Sequence, residues 1–257
     1  MFAAERRKKI KEIMFEYKHV DVNTLCSLLD VSLATVRRDL DQLGEEGFLR
    51  KEHGGAILIE SESDEIQLNL SGDVHTQEKQ AIAETAAAMV EEGDSIFIGA
   101  GSTCAAFAKY LPKLHGLIVV TNSLEAAIAI AYRPEISTVL LGGDVEVLDN
   151  RLSTCGMYAH SNMENMYIDK AFLSAQGATI HAGYTVSSRE QAVMNKLVME
   201  RANETILLMD YTKFGKRALV PFAPLDRFQR IVTNIQVEDK YKEFFYDHSI
   251  RLYTAIE

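Results

Sequence analysis

The chain has few cysteines, no long apolar run and no excess of positive charge. Its three cysteines, Cys26, Cys104 and Cys155, lie far apart and form no C-x-x-C pair, so the sequence predicts neither a disulfide framework nor a thiolate zinc site. The seven histidines also lack the spacing of metal ligands. No run approaches the roughly 18 apolar residues that a membrane span needs, and no basic segment followed by an apolar run opens the chain. We therefore expect a cytoplasmic protein that binds neither a metal nor a membrane.

The formal net charge of −10 argues at first against a nucleic-acid partner, because phosphate binding draws on Lys and Arg. Yet residues 1–57 hold 10 Lys and Arg against 10 Asp and Glu, while the rest of the chain holds 17 against 27. All of the excess acid therefore lies outside the N-terminal part. An N-terminal part without net charge predicts modest affinity for DNA and a need for two copies acting together. We expect a homo-oligomer, with dimer and tetramer both open.

With 257 residues, 47% hydrophobic and 25% charged, the chain is long enough for two domains, one of them small. Residues 1–59 are predicted to form the small domain and residues 75–257 the large one. Residues 60–74 are predicted to be a linker, because they are polar, acidic and rich in turn formers.

Residues 31–56 predict a helix that lies in a groove of DNA, followed by a hairpin. Val36, Leu40 and Leu43 recur at i, i+4 and i+7, which gives one inward stripe and leaves polar residues on the other faces. Two further helices are predicted before it. The first has the inward residues Ile10, Ile13, Met14 and Tyr17. The second is capped by Asp21 and has the inward residues Val22, Leu25, Leu28 and Leu29. After it, a strand from Phe48, a Gly54-Gly55 turn and a return strand from Ala56 complete a predicted winged helix-turn-helix. The simpler alternative is an amphipathic helix with an ordinary solvated charged face.

The motifs VSxxTVRRDLxxL and GxLxxxHGGA, which follow a basic first helix, resemble the head of the DeoR family of bacterial transcription regulators. The resemblance covers Glu5 to about Leu58. It implies that the third helix enters the major groove of DNA. It also implies contacts from that helix to DNA bases or phosphates, made by Ser32, Thr35, Arg37 and Arg38. From the wing it implies contacts to the DNA backbone, made by Lys51 and His53.

From Thr76 onward, short apolar runs alternate with amphipathic segments of helical length. This alternation predicts an α/β domain with a largely parallel sheet covered by helices. Ligands bind at the carboxyl ends of such strands, and several runs end there in polar or glycine residues, as in GAGST at 99–103 and TNS at 121–123. The amides and hydroxyls of residues 101–103 suit a phosphate, whereas the simpler alternative is that the glycines only form turns. A nicotinamide cofactor is not expected, because the third glycine of its fingerprint and the following acid are missing.

The motifs EKxxIA, GAGST, VVTNS, LLGG, DKAF and LLMDYTKFG resemble the C-terminal sensor domain of the DeoR family, whose fold is similar to ribose-5-phosphate isomerase. The resemblance implies an effector site in which Gly101, Ser102 and Thr103 hold a phosphate. It further implies that four other polar residues line or support the sugar end of the site: Asn122, Asp169, Asp210 and Lys213. Of these, Lys213 supplies positive charge for the phosphate.

Two positions depart from the family pattern. Gly99 stands where many relatives carry an acid. In the helix after Ser188, Glu190 takes the place of the usual acid if the register slips by one; otherwise Gln191 and Asn195 stand in the places of the usual acid and lysine. The effector is therefore expected to differ from that of better-known members.

We predict a sequence-specific regulator, a repressor of carbohydrate-metabolism genes, that binds a double-stranded DNA operator and a small phosphorylated sugar without any cofactor. Two rivals remain: a DNA-bound scaffold that senses nothing, and a sugar-phosphate isomerase in which Asp169, Glu190 and Lys213 act as acid, base and electrostatic partner. Cys104 lies beside the phosphate motif, but without a neighbouring histidine pattern it is expected to be a buried side chain rather than a nucleophile.

Overall fold

The computed structural model describes residues 3–17, 19–45, 49–52, 55–58, 75–149 and 151–255. The chain divides into two compact units, residues 1–67, here called the head, and residues 68–257, here called the body. The expected linker, residues 60–74, lies outside the described residues and stays a prediction. Among the helices described, none combines the length and the apolar character needed to cross a membrane.

The described residues of the head form three helices and a three-stranded antiparallel sheet of order β1–β3–β2. Its elements are α1 Ala3–Tyr17, β1 His19–Asp21, α2 Val22–Leu29, α3 Leu33–Glu45, β2 Leu49–Glu52 and β3 Gly55–Leu58. Strands β2 and β3 form the predicted wing, with the return strand beginning one residue earlier than expected. Strand β1 was not predicted, because three residues are too few to show a period of two.

Capping and packing in the head largely follow the sequence pattern. Asp21 accepts a hydrogen bond from the Thr24 amide at 2.9 Å, and Ser32 Oγ accepts one from the Thr35 amide at 3.3 Å. The stripe of α3 is buried as predicted, with Val36, Leu40 and Leu43 at most 2% exposed.

The prediction that Tyr17 and Leu28 point into the core of the head is wrong, because these side chains are 59% and 55% exposed. Tyr17 is the last residue of α1. Leu28 lies at the margin of the stripe that the other apolar residues of α2 form.

Besides the short 3₁₀ turn Tyr211–Lys213, the described residues of the body form six α-helices and twelve strands. In chain order they are α4 Thr76–Ala87, β4 Ser95–Ile98, α5 Ser102–Lys109, β5 Leu117–Thr121, α6 Leu124–Ile130, β6 Ile136–Leu140, β7 Asp144–Leu148, β8 Arg151–Cys155, α7 Gly156–Glu164, β9 Ile168–Leu173, β10 Gly177–Thr179, β11 Gly183–Val186, α8 Arg189–Arg201, β12 Ala202–Leu208, β13 Val220–Ala223, β14 Arg230–Asn234, α9 Asp239–Asp247 and β15 Arg251–Ala255.

A seven-stranded, entirely parallel sheet of order β15–β14–β12–β9–β4–β5–β6 forms the centre of the body. Its strands are apolar on both faces because a core cluster lies on each side: along β12, Leu207 packs into one cluster while Ile206 and Leu208 pack into the other. The predicted α/β class is therefore confirmed, and the strand ends form a single carboxyl edge and a single amino edge of the sheet.

Two smaller sheets were not predicted. Strands β7 and β8 form an antiparallel hairpin, and β10, β11 and β13 form a three-stranded antiparallel sheet. In the second of these sheets, β10 and β11 are only three and four residues long, too short to show a clear period of two in the sequence.

Candidate functional site

The solvent face of α3 carries the head's predicted contact residues. Ser32, Arg37 and Arg38 are exposed and Thr35 is half-buried, with its hydroxyl 2.9 Å from Ser32 Oγ. The structure therefore places these four predicted residues in the N-terminal half of α3 or directly before it, outside the fully buried stripe of the helix.

The predicted wing contacts cannot be placed in the same way. Lys51 belongs to β2, but its side chain lies outside the described residues, as does His53 entirely. Both contacts stay predictions.

A pocket with a volume of about 100 Å³ lies at the carboxyl edge of the seven-stranded sheet of the body. It brings together five of the predicted effector residues: Gly101, Ser102, Thr103, Asp210 and Lys213. They come from two different places in the chain, the loop after β4 and the turn after β12, and meet because parallel strands end at the same edge.

Local backbone geometry explains how these five residues are held. Gly101 has φ of 129°, a conformation that L side chains rarely adopt, and this residue leads directly into α5. The amides of the first turn of a helix have no partner within the helix, so they can bind an anion. Asp210, only 1% exposed, accepts a hydrogen bond from the Thr212 amide at 3.1 Å and so begins the short turn that carries Lys213.

The β7–β8 hairpin supplies pocket residues that sequence reasoning missed. Glu146, Asp149 and Arg151 line the pocket, and Arg151 adds a second cation to Lys213. Cross-strand pairing places Arg151 opposite Leu148, and both line the pocket. The alternation of polar and apolar residues in Asp144–Leu148, preceded by two glycines, was the available signal for this hairpin.

Asn122 supports the pocket rather than lining it. Its Nδ2 donates to the Thr154 carbonyl oxygen at 3.1 Å, and the Thr154 amide donates to the Asn122 carbonyl oxygen at 2.8 Å. Both bonds fasten β8 to the end of β5. Asn122 therefore positions the hairpin that reaches the pocket.

Of the two alternatives on α8, Gln191 lines the pocket and Glu190 does not. The Glu190 carboxylate is turned away from the pocket, accepting a hydrogen bond from the Gly156 amide at 3.2 Å and lying 3.7 Å from His160 Nε2. Gln191 lines the pocket instead, with Nε2 3.5 Å from the Ala100 carbonyl oxygen. Its Oε1 is buried and, within the described residues, has no hydrogen-bond partner. Asn195, one turn later, is 3% exposed.

Asp169 is the predicted residue that the structure separates most clearly from the others. It is the second residue of β9 and so lies at the amino edge of the sheet, opposite the pocket. It accepts hydrogen bonds from the Ser95 amide at 2.9 Å and the Ser95 hydroxyl at 2.6 Å. These bonds, the hydroxyl's first, lower the pKa of the Asp169 carboxyl below its ordinary value. We therefore leave Asp169 out of the candidate site.

Two further positions near the pocket are structural. Burial raises the pKa of the Cys104 thiol to about 12, so this residue is not a nucleophile at neutral pH. At Gly99 an added Cβ would lie 3.1 Å from Leu173 Cδ2, so this position packs against β9. Among the described residues, no group of three His, Cys, Asp or Glu side chains could hold a metal ion.

Two family profiles match the chain. The DeoR-like helix-turn-helix domain matches residues 6–62, and the DeoR C terminal sensor domain matches residues 74–235. Together they span both units of the structure.

Relatives match over nearly the whole chain. The uncharacterized HTH-type transcriptional regulator YulB of Bacillus subtilis (strain 168) is 34% identical, covering 100% of this chain and 98% of its own. HTH-type transcriptional regulator GolR of Listeria innocua is 33% identical, covering 95% and 96%. The lactose phosphotransferase system repressor of Lactococcus lactis is 32% identical, covering 93% and 94%. A solved ribose 5-phosphate isomerase from Methanocaldococcus jannaschii is 23% identical over 53% of each chain, with a TM-score of 0.38. The three relatives are named as regulators and not as enzymes.

Proposed function

Because the chain belongs to the DeoR family of transcription regulators and is not an enzyme, we propose that it represses carbohydrate-metabolism genes under the control of a small phosphorylated sugar. In this proposal the head binds a double-stranded DNA operator with α3 in the major groove. The body binds the sugar phosphate at the carboxyl edge of its sheet. The protein acts in the cytoplasm as a homo-oligomer.

The exposed face of α3 supports operator binding. Arg37 and Arg38 can donate to phosphates or, in bidentate fashion, to guanine, while Ser32 and Thr35 lie at the helix end that would enter the groove first. Lys51 and His53 would add contacts from the wing. Since the head has no net charge, one head alone would bind weakly, and two heads on a symmetric operator would bind together.

The observation that carries the effector proposal is the meeting of a helix N-terminus with two cations in one pocket. The start of α5, with the Ser102 and Thr103 hydroxyls, offers hydrogen-bond donors to phosphate oxygens, and Lys213 and Arg151 offer positive charge. A phosphate is the anion that uses all of these groups at once.

The remaining pocket residues suit the hydroxyl groups of a sugar. Glu146, Asp149, Asp210 and Gln191 present acceptor oxygens. Glu146 is itself held by the Ser188 hydroxyl at 2.6 Å, and Asp149 by Gln176 Nε2 at 2.9 Å. The oxygens of these side chains can accept further hydrogen bonds beyond these contacts, and the hydroxyl groups of a polyhydroxylated ligand can donate them.

Regulation would arise from linkage between the two ligands. The effector must bind one of two arrangements of the protein more tightly than the other. The preferred arrangement is either the one with low affinity for DNA or the one with high affinity for DNA. A coupling free energy of about 1–3 kcal/mol corresponds to a 5- to 150-fold change in operator affinity.

The test is operator binding by the full chain at fixed salt, titrated with a panel of pentose and hexose phosphates. One member of the panel should shift operator affinity at least fivefold, while its unphosphorylated sugar should not. DNA binding that no phosphorylated sugar changes would remove the effector proposal and leave a DNA-bound scaffold.

A further inference from the structure

An ion pair joins the first helix of the head to the helix that would bind DNA. Arg6 of α1 donates to both carboxylate oxygens of Asp39 of α3, from Nε at 2.5 Å and from Nη2 at 3.2 Å. The Arg6 and Asp39 side chains are only 13% and 4% exposed. Asp39 directly follows Arg37 and Arg38 in the chain, yet it lies on the buried side of α3.

A buried acid is an unexpected residue in a head that binds a polyanion. Its charge repels DNA, and its burial is costly without a partner. The guanidinium of Arg6 offsets part of that cost, but the pair also takes one of the basic residues of α1 away from the DNA. The neighbouring residue, Arg7, is also bonded to α3, because its Nη1 donates a hydrogen bond to Gln42 Oε1 at 2.6 Å.

The apolar stripe of α3 determines which face of the helix is buried, but apolar contacts are not directional. A bidentate Arg–carboxylate pair is directional, because the planar fork must meet both oxygens. It therefore restricts how α3 can rotate or slide against α1.

We propose that Arg6 and Asp39 are positioning residues for operator recognition: their ion pair fixes α3 at the orientation in which Arg37 and Arg38 reach the DNA, and Arg6 contacts no phosphate. This inference rests on the operator binding proposed above.

The direction in which one substitution changes the affinity for DNA distinguishes a positioning role from a simple effect of charge. Asp39→Ala removes an acid from the head, so electrostatics alone predicts tighter binding to DNA. Positioning predicts the opposite, at least tenfold weaker binding to a 30-base-pair duplex selected from a random pool by the wild-type full chain. Asp41→Asn is the control, because it removes an exposed negative charge from the same helix while keeping a side chain that can hydrogen-bond, and it should bind at least as tightly as wild type. Unchanged or tighter binding by Asp39→Ala would overturn the proposal.

The salt dependence of binding tests Arg6 itself. Loss of a phosphate contact lowers the slope of log K against log salt concentration by about 0.9. Arg6→Ala should weaken binding at least tenfold while leaving the slope within about 0.3 of wild type. A slope lowered by a full contact would show that Arg6 binds a phosphate and would refute its positioning role.

Arg6→Lys covers the case in which the alanine variants do not fold, because it keeps the charge and the apolar stem but loses the two-pronged geometry. It should also weaken binding at least tenfold, with its unfolding temperature measured in parallel. Wild-type affinity in Arg6→Lys would refute the proposal. Failure of the wild-type chain to select any duplex would instead refute the proposed operator binding, so the two failures are distinguishable.

Discussion

Two polar clusters, one at each edge of the seven-stranded sheet, carry the same kinds of residue but differ in how those residues are paired. At the amino edge, Asp169 accepts two hydrogen bonds from Ser95, and Lys170 Nζ lies 2.8 Å from Asp94 Oδ2. At the carboxyl edge, Lys213 lines the pocket and, within the described residues, forms no ion pair, and Gln191 Oε1 has no hydrogen-bond partner there. Each edge thus contains aspartate, lysine and amide or hydroxyl groups.

The comparison shows that pairing, rather than residue type, separates a structural cluster from a binding site. Buried polar groups are nearly always hydrogen-bonded in folded proteins. A cluster whose members satisfy one another has no capacity left for a ligand, whereas a pocket with an unsatisfied acceptor and an available cation does. The predictions below test that difference, from the largest expected effect to the smallest.

Lys213→Ala should have the largest effect on the effector. A hydrogen bond to a charged group contributes about 1.5–3 kcal/mol, so effector affinity should fall about 10- to 150-fold while operator binding without effector is kept. Calorimetric titration measures the first quantity and DNA binding the second. Lys216→Ala, which removes an exposed lysine three residues later, is the control. Retained effector affinity in Lys213→Ala would move the phosphate elsewhere.

Arg151→Gln should weaken effector binding about tenfold, because it removes the second cation while keeping a polar side chain of similar length. Arg189→Gln, at an exposed arginine at the start of α8, should bind the effector as wild type does. Equal affinities for the Arg151 and Arg189 variants would show that the hairpin only covers the pocket and does not bind the ligand.

Gln191→Glu should weaken binding several-fold, because a carboxylate would stand beside the Ala100–Thr103 loop where the phosphate is proposed to lie. A phosphate monoester becomes doubly charged above its second pKa of about 6. The loss should therefore be greater at pH 8 than at pH 5.5 when effector affinity is measured across that range. A loss that does not change with pH would place the phosphate away from Gln191.

Asp169→Asn should leave effector affinity within about twofold of wild type, since its partners lie at the other edge. It should lower the free energy of unfolding at pH 7 by about 1 kcal/mol, a value reduced by partial exposure. Because the folded-state pKa of Asp169 is lowered, the stabilisation is complete above its unfolded pKa of about 3.9 and is lost as pH falls through the folded pKa. The stability difference between variant and wild type should therefore shrink in acid. Loss of effector response at pH 7 would return Asp169 to the site.

The sequence was sufficient for the parallel sheet and for much of the pocket. Continuous apolar runs require burial on both faces, and Ser102, Asp210 and Lys213 follow such runs at their carboxyl ends. Asp169 was assigned to the effector site from the family resemblance alone. It precedes the apolar run of β9, and in a parallel sheet a residue before such a run lies at the amino edge. Its partner there, Ser95, is 74 residues away in the chain and has no local sequence signal.

The hairpin and the α8 register show a different limit of prediction. Arg151 reaches the pocket only because Asn122 and Thr154 fasten β8 to the end of β5, and such long-range anchoring has no local sequence signal. Glu190 and Gln191 are adjacent on α8, so their side chains point about 100° apart around the helix. A one-residue uncertainty in register was therefore enough to exchange the residue that faces the pocket.

The most direct test of the central claim is a calorimetric titration of the full chain with a panel of pentose and hexose phosphates and the matching free sugars. The wild type and Asp169→Asn should bind the same phosphorylated member and no free sugar, and Lys213→Ala should lose that binding. Equal binding by wild type and Lys213→Ala, or loss of binding in Asp169→Asn, would contradict the assignment of the effector to the carboxyl edge of the sheet.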